Sequence, residues 1–196
     1  MKNIKGLFAL VSVCLWAFSS CDSGGDGTGG SGKLRLSLAA DTVSVNKGVS
    51  NATKSVGANE FDRFLTTDDY RISIRQASDT VCSFDRFDQM PLEIELPEGF
   101  YTLVASKGDN LPAAFENPYF EGSADFTVKS GMNTSLDVVC SLGNARVSVE
   151  YTSVFQEAYE DYAVLLSTSF ASDEFEVSKE ESRPAYLQVD KEGTDM

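Results

Sequence analysis

The chain has 196 residues, 42% of them hydrophobic, with 30 acidic against 16 basic side chains and no histidine. The hydrophobic content is that of a globular protein, and a net charge of −14 excludes nucleic acid as a partner, because phosphate binding needs a basic face. Without histidine, Ser-His-Asp and Cys-His nucleophile systems and His-ligated zinc are excluded as well.

Lys2 and Lys5 give the chain a basic start, and Leu7 to Phe18 form an almost unbroken apolar run of about 12 residues. Such a run fits a signal sequence and is too short for a membrane span, which needs about 20 residues. Ala17, Phe18, Ser19, Ser20 and Cys21 then resemble a lipobox, with Phe18 where leucine is usual. Residues 1–20 are therefore expected to be a lipoprotein signal peptide, cut so that Cys21 carries the lipid that holds the chain to a membrane. The alternative is an ordinary secreted protein cut near Ser20, with Cys21 a free thiol. Removing residues 1–20 takes away two lysines and no acid, which leaves 14 bases against 30 acids, a charge of −16.

Residues 21–33 read as a lipidated, glycine-rich tether with nothing to bury, reaching about 18 Å as a flexible coil. Its acidic, glycine-rich start is similar to the surface-export signal of Bacteroides-type lipoproteins, which implies an outer-membrane location with the body exposed at the surface. Gly27, Gly32 and Lys33 match part of a phosphate-binding loop. Leu34 replaces the hydroxyl residue that would hold magnesium, and no strand precedes the glycines, so nucleotide binding does not follow.

From residue 34 onward apolar and polar residues alternate, the period of half-buried strands. Leu34, Leu36 and Leu38 begin the pattern, and Tyr70, Ile72 and Ile74 repeat it. Leu92, Ile94 and Leu96, the turn Pro97-Glu98-Gly99, and Tyr101, Leu103 and Ala105 read together as a hairpin over 91–106. Phe126 and Val128 lead into a turn at 130–133, after which Leu136, Val138, Cys140 and Leu142 share a face. Six or seven strands in about 110 residues predict an all-β fold with a β-sandwich over 34–142. After Gly143 the register restarts with Val147, Val149 and Tyr151, a short helix is expected over Phe155 to Tyr162, and another apolar run covers Ala163 to Leu166. A second β module over 143–196 is expected, either cut short or a small lobe packed on the first domain.

The run from Gln89 through Pro91, Leu92, Ile94, Leu96, Pro97, Gly99, Tyr101 and Ala105 resembles a segment of fimbrillin-related Bacteroides-type surface lipoproteins. Asn117 to Gly122 with Phe126 to Val128, and Val138 to Cys140 leading to Asn144 to Val147, are similar to later segments of the same group. The resemblance is closest to an uncharacterised lipoprotein domain family and more distant to fimbrial anchor and tip proteins. It implies a sandwich of immunoglobulin- or transthyretin-like topology used as a structural or adhesive module, with fimbrial or other surface proteins as partners. Some relatives look like N-terminal modules joined to a carbohydrate-associated domain, and the resemblance supplies no catalytic residue.

Carboxylates remain the available chemistry. Glu93 and Glu95 share a strand face at a glycosidase-like spacing, but any solvated strand looks the same, and a non-enzymatic protein without cofactor is expected. Asp68, Asp69, Asp85, Asp88, Asp109 and Asn110 are scattered and form no complete calcium loop, so no metal is expected. Cys82 and Cys140 either pair as a disulfide in an oxidising compartment or are two small buried residues in separate strands. Phe115, Tyr119 and Phe120, stiffened by Pro112 and Pro118, form a candidate ligand loop able to stack on a sugar or a partner strand. The alternative tucks them over the edge of the sandwich. Thr42 and Thr80, each in an Asp-Thr-Val tripeptide, are similar to the O-glycosylation signal of exported Bacteroides-type proteins. The expected function is a fimbria-related structural or adhesive module, with a glycan-binding accessory of a surface carbohydrate-uptake system as the alternative.

Overall fold

The computed structural model describes residues 29–42 and 60–190. The leader, Cys21 and Val43 lie outside the described residues. The elements in chain order are β1 (Ser31–Ala40), α1 (Asp62–Leu65), β2 (Arg71–Gln76), β3 (Asp79–Phe84), β4 (Ile94–Pro97), β5 (Gly99–Lys107) and β6 (Ala113–Phe115). There follow β7 (Phe120–Val128), β8 (Asn133–Leu142), β9 (Asn144–Val147), α2 (Ser153–Ala158), β10 (Ala163–Leu166), β11 (Phe175–Ser178) and β12 (Ala185–Gln188). The fold is all-β, as the alternation predicts.

Seven strands run in the order β3-β2-β5-β7-β8-β1-β4. All neighbours are antiparallel except β1 and β8, which run parallel from Lys33 beside Asn133 to Ala40 beside Cys140. The joint between β7 and β8 is narrow, with only Phe120 opposite Leu142 and Glu121 opposite Ser141. That joint lets the sheet fold over on itself, so that β3-β2-β5-β7 faces β8-β1-β4 across one core. Leu34, Ile94, Leu96, Val138 and Cys140 enter the core from one layer, and Ile72, Ile74, Leu103, Phe120, Phe126 and Val128 from the other. Each fully buried aliphatic or phenyl side chain contributes about 1.5–3 kcal/mol by leaving water. Beyond the joint, Gly122 lets the layers approach closely: a Cβ there would lie 2.6 Å from the Val139 carbonyl oxygen and 2.9 Å from Val138 Cγ1.

The expected hairpin over 91–106 does not form. β4 pairs with β1, and β5 pairs with β2 and β7, so Pro97-Glu98-Gly99 is a corner that carries the chain from one layer to the other. A tight turn signal serves a corner as well as a hairpin, and here each strand finds its partners elsewhere. The Glu98 N–H donates to the Gly30 carbonyl at 2.7 Å. The buried Tyr101 hydroxyl donates back to the Pro97 carbonyl at 2.9 Å, a tie like the tyrosine corner of other sandwiches. Leu92 precedes β4 and is 91% exposed, so it does not join Ile94 and Leu96 in the core.

After Gly143, β12 lies antiparallel between β6 and β9, a three-stranded sheet that ties the C-terminal segment to the body. Tyr186 of β12 is buried in the same core cluster as the sandwich and meets Phe61 edge-on at 6.5 Å. Between β9 and β12, α2 and the β10-β11 ribbon form a small lobe. The helix begins earlier than expected because the Thr152 hydroxyl accepts from the Phe155 N–H at 3.3 Å. It ends at Ala158, where Tyr159 takes an extended conformation.

Candidate functional site

Alternation that points Ile72, Ile74, Tyr101, Leu103 and Ala105 inward turns their neighbours outward onto an open sheet face. The registers place these outward residues in rows across β2, β5 and β7. Arg75, Thr102 and Asp125 form one row, Ser73, Val104 and Ser123 the next, and Arg71, Ser106 and Glu121 the third. Phe100 opposite Thr127 closes one end, and Ser83 of β3 stands opposite Ser73 on the other side.

Two shallow depressions open on this face. One, of about 360 Å³, is lined by Ala77, Phe100, Thr102, Asp125 and Thr127; the other, of about 350 Å³, by Arg71, Ser73, Arg75, Ser83, Ser106 and Glu121 among others. Phe100 is 79% exposed, a large ring held in water by a strand whose alternate residues fill the core. The Thr102 hydroxyl donates to Asp125 at 2.6 Å, and Arg71 donates to the Gly108 carbonyl and reaches Asp109 at 3.5 Å. The face thus combines one apolar ring with donors and acceptors of both kinds.

The carboxylates considered from sequence are tied to cations elsewhere. Glu93 accepts from Lys33 Nζ at 2.9 Å and from Arg35 Nε at 2.9 Å, and these bonds, Lys33 first, hold its carboxyl below the usual range. Glu95 accepts from the Ser31 hydroxyl. Both stand on the layer away from the open face. Asp69 pairs with Lys107 at 2.5 Å and Asp88 with Arg86 at 2.6 Å. Among the described residues no three His, Cys, Asp or Glu side chains converge on a metal position. Gly32 and Lys33 are strand residues of β1, and Lys33 is bound to Glu93.

The candidate ligand loop is corrected by burial. Phe120 is fully buried and stacks on Phe64 at 4.8 Å, because β7 begins at that residue with its inner face. Tyr119 is buried too; its hydroxyl donates to Glu121, and its N–H is accepted by the buried Asn144 side chain at 3.3 Å. Phe115 is half-buried in β6, packed on Phe175 at 4.6 Å under the Arg183 guanidinium at 4.9 Å. The three rings do not form one exposed surface.

Cys140 is a free thiol, and the strand order places Cys82 apart from it. Cys140 Sγ lies 3.7 Å from the Ala105 carbonyl of the facing layer, on β5, while Cys82 sits on the edge strand β3, two strands along. Two strand spacings come to about 10 Å, beyond the roughly 7 Å that a disulfide spans between Cα atoms. Burial pushes the Cys140 thiol up to about 12, so it stays neutral and inert. Thr80 is exposed on β3, and Thr42 is half-exposed just beyond β1.

A second groove, of about 760 Å³, is lined by Glu60, Asp62, Arg63, Glu116, Pro118, Arg146, Pro184 and Tyr186. At its base Arg146 Nε donates to Glu60 at 2.9 Å, and the Tyr186 hydroxyl donates to the same carboxylate. Burial first, and then Glu60, pushes the Tyr186 hydroxyl far above the usual phenol range. The three residues act as a clamp between the turn ahead of α1, β9 and β12, with partners 86 and 126 residues apart in the chain.

No curated protein matches the chain. Among solved structures it is similar to a crystal structure from Bacteroides thetaiotaomicron VPI-5482 described as candidate polysaccharide binding proteins (DUF1812). That similarity has 8% identity and a TM-score of 0.37 and covers 80% of this chain and 70% of that one. A family model described as a domain of unknown function, DUF4493, matches residues 30–196, so the chain belongs to that family.

Proposed function

We propose that the chain is a non-catalytic, glycan-binding module, anchored by lipid on Cys21 at the outer-membrane surface and contacting sugar through the open face of β2, β5 and β7. The observation that carries this reading is Phe100, which stands in water beside Thr102, Asp125 and Thr127. A saccharide offers an apolar C–H face for a ring and hydroxyls that both donate and accept, and this face has the matching set. The sandwich holds these groups on strands, so little ordering is needed on binding. Support for a non-catalytic role comes from Glu93, kept ionised by Lys33 and Arg35, and from the inert thiol of Cys140. Support for the location comes from the lipobox-like residues ahead of a glycine-rich tether.

A glycan array probed with wild type and Phe100→Ala tests the reading. Wild type binds at least one glycan, and Phe100→Ala weakens that binding about tenfold, the scale of one lost aromatic contact, with an unchanged urea midpoint. Absence of binding by wild type, or equal binding by both proteins, overturns it. The anchor is tested separately by detergent partitioning, in which Cys21→Ala leaves the detergent phase that wild type enters.

The second reading, a fimbria-related adhesive module, is favoured by the two edge strands β3 and β4, each with one unpaired side. Such an edge accepts a partner strand by main-chain hydrogen bonds. A proline placed at Val81 on β3 would block addition there, so surface assembly unaffected by Val81→Pro counts against that edge. A hexose found on Thr80 by intact-mass analysis would cover the same edge.

A further inference from the structure

The lobe between β9 and β12 carries an aromatic cluster independent of the open sheet face. Tyr151 stacks on Phe155 at 5.8 Å and meets Tyr162 at 4.5 Å, and Phe155 meets Tyr159 at 4.7 Å and Tyr162 at 5.0 Å. The Thr152 cap fixes the start of α2 and brings Phe155 and Tyr159, four residues apart, to one side of the chain. Tyr151 donates to the Val177 carbonyl at 3.3 Å, so the back of the cluster is fastened to β11. Its front is open to water: Phe155 is 38% and Tyr159 56% exposed.

We propose that this cluster is a second carbohydrate contact, with Phe155 and Tyr159 taking the apolar face of an uncharged sugar ring. The inference rests on the glycan-binding reading above and adds a separate site and a ligand class to it. The class follows from charge. Glu157, Glu160 and Asp161 lie in α2 and the turn after it, while Lys179 is already engaged with the Glu160 carbonyl at 2.8 Å and Asp161 at 3.6 Å. Acidic glycans and anionic lipid surfaces are therefore repelled, and a second copy of this chain would bring the same carboxylates and a net charge of −14. An uncharged sugar brings C–H groups to the rings and hydroxyls that the carboxylates accept. Two contacts on one chain also raise the affinity for a long polysaccharide above that for a short oligosaccharide, because the second binding event becomes intramolecular.

Affinity electrophoresis of the full chain, in gels carrying neutral β-glucan, xylan, mannan or starch and in gels carrying the anionic polymer alginate, tests this. At least one neutral polymer retards wild type and alginate does not; Tyr159→Ala weakens the retardation about tenfold, and Tyr159→Phe keeps it. Tyr159 is half exposed, so the alanine variant retains the wild-type urea midpoint. If Tyr159→Ala is retarded like wild type while Phe100→Ala is not, the second contact is overturned and the open-face reading stands. If no neutral polymer retards wild type, both fall. A wild-type dimer in sedimentation that Tyr159→Ala converts to monomer would make the cluster a self-association face and overturn the proposal.

Discussion

The sandwich and the lobe solve the same problem in different ways. Of the buried hydrophobic side chains, only Val177 lies between residues 148 and 184; the others belong to the two layers, the segment from Phe61 to Tyr70, the β6–β7 connection and β12. The sandwich hides its rings, with Phe120 between Phe61 at 5.5 Å and Phe64 at 4.8 Å, whereas the lobe stacks four rings and fully buries none of them. Stability therefore resides in the sandwich, and the lobe is placed at the low-stability end of local opening. The contrast also explains why aromatic surface is available for binding: the lobe is too thin to bury it.

The largest expected effect breaks the comparison at the core. Phe120→Ala removes a fully buried ring and leaves a cavity that two packed layers cannot close, a loss of about 3–5 kcal/mol in urea unfolding. Leu165→Ala on β10 removes a mostly exposed side chain and changes stability by about 0.5 kcal/mol or less. Comparable losses for the two would mean that the lobe is as much a part of the cooperative core as β7.

A smaller effect sharpens the boundary between the regions. The Glu60–Arg146–Tyr186 clamp holds β9 and β12 to the body, and its ion pair is mostly shielded from water. Arg146→Ala strands a carboxylate there and costs about 1–3 kcal/mol. Hydrogen exchange should then speed up at the amides of β12 before those of β5. A double-mutant cycle with Glu60→Gln should show coupling, and strict additivity would mean that the clamp carries no energy of its own.

What the sequence disclosed follows the same division. β1, β2, β5, β7 and β8 each bury one face, so period-two alternation reveals them and marks Leu34, Ile72, Leu103, Val128 and Val138 as core. Phe100 follows from the same rule, since inward Tyr101 and Leu103 force it outward, whereas the proline-rich segment around Tyr119 and Phe120 gives a false loop signal. That segment reads as a loop because of Asn117 and Pro118, yet the chain enters β7 one residue after Tyr119. β6 and β12 are too short to show a period, and the clamp joins residues far apart in the chain, so neither leaves a local signal. The Thr152 cap and the aromatics at 151, 155, 159 and 162 were present as spacing, and only the fold shows that their front stays uncovered.

The smallest expected effect lies on the outer face of the β1-β4 layer. Glu93 is shared by Lys33 and Arg35, all three partly open to solvent, so Glu93→Gln should lower the melting temperature at pH 7 by a few degrees at most. The sign of its pH dependence is fixed by the direction of the shift. Because the folded carboxyl sits below its unfolded value of 4.5, its stabilisation is complete above pH 4.5 and is lost as pH falls through the folded value. Wild type and variant melting curves should therefore converge in acid, and also in high salt, which screens exposed pairs. Glycan binding should be unchanged, since the other layer carries the open face. A variant that melted as early as Arg146→Ala, or that lost sugar binding, would show that this strand edge does more than hold β4 to β1.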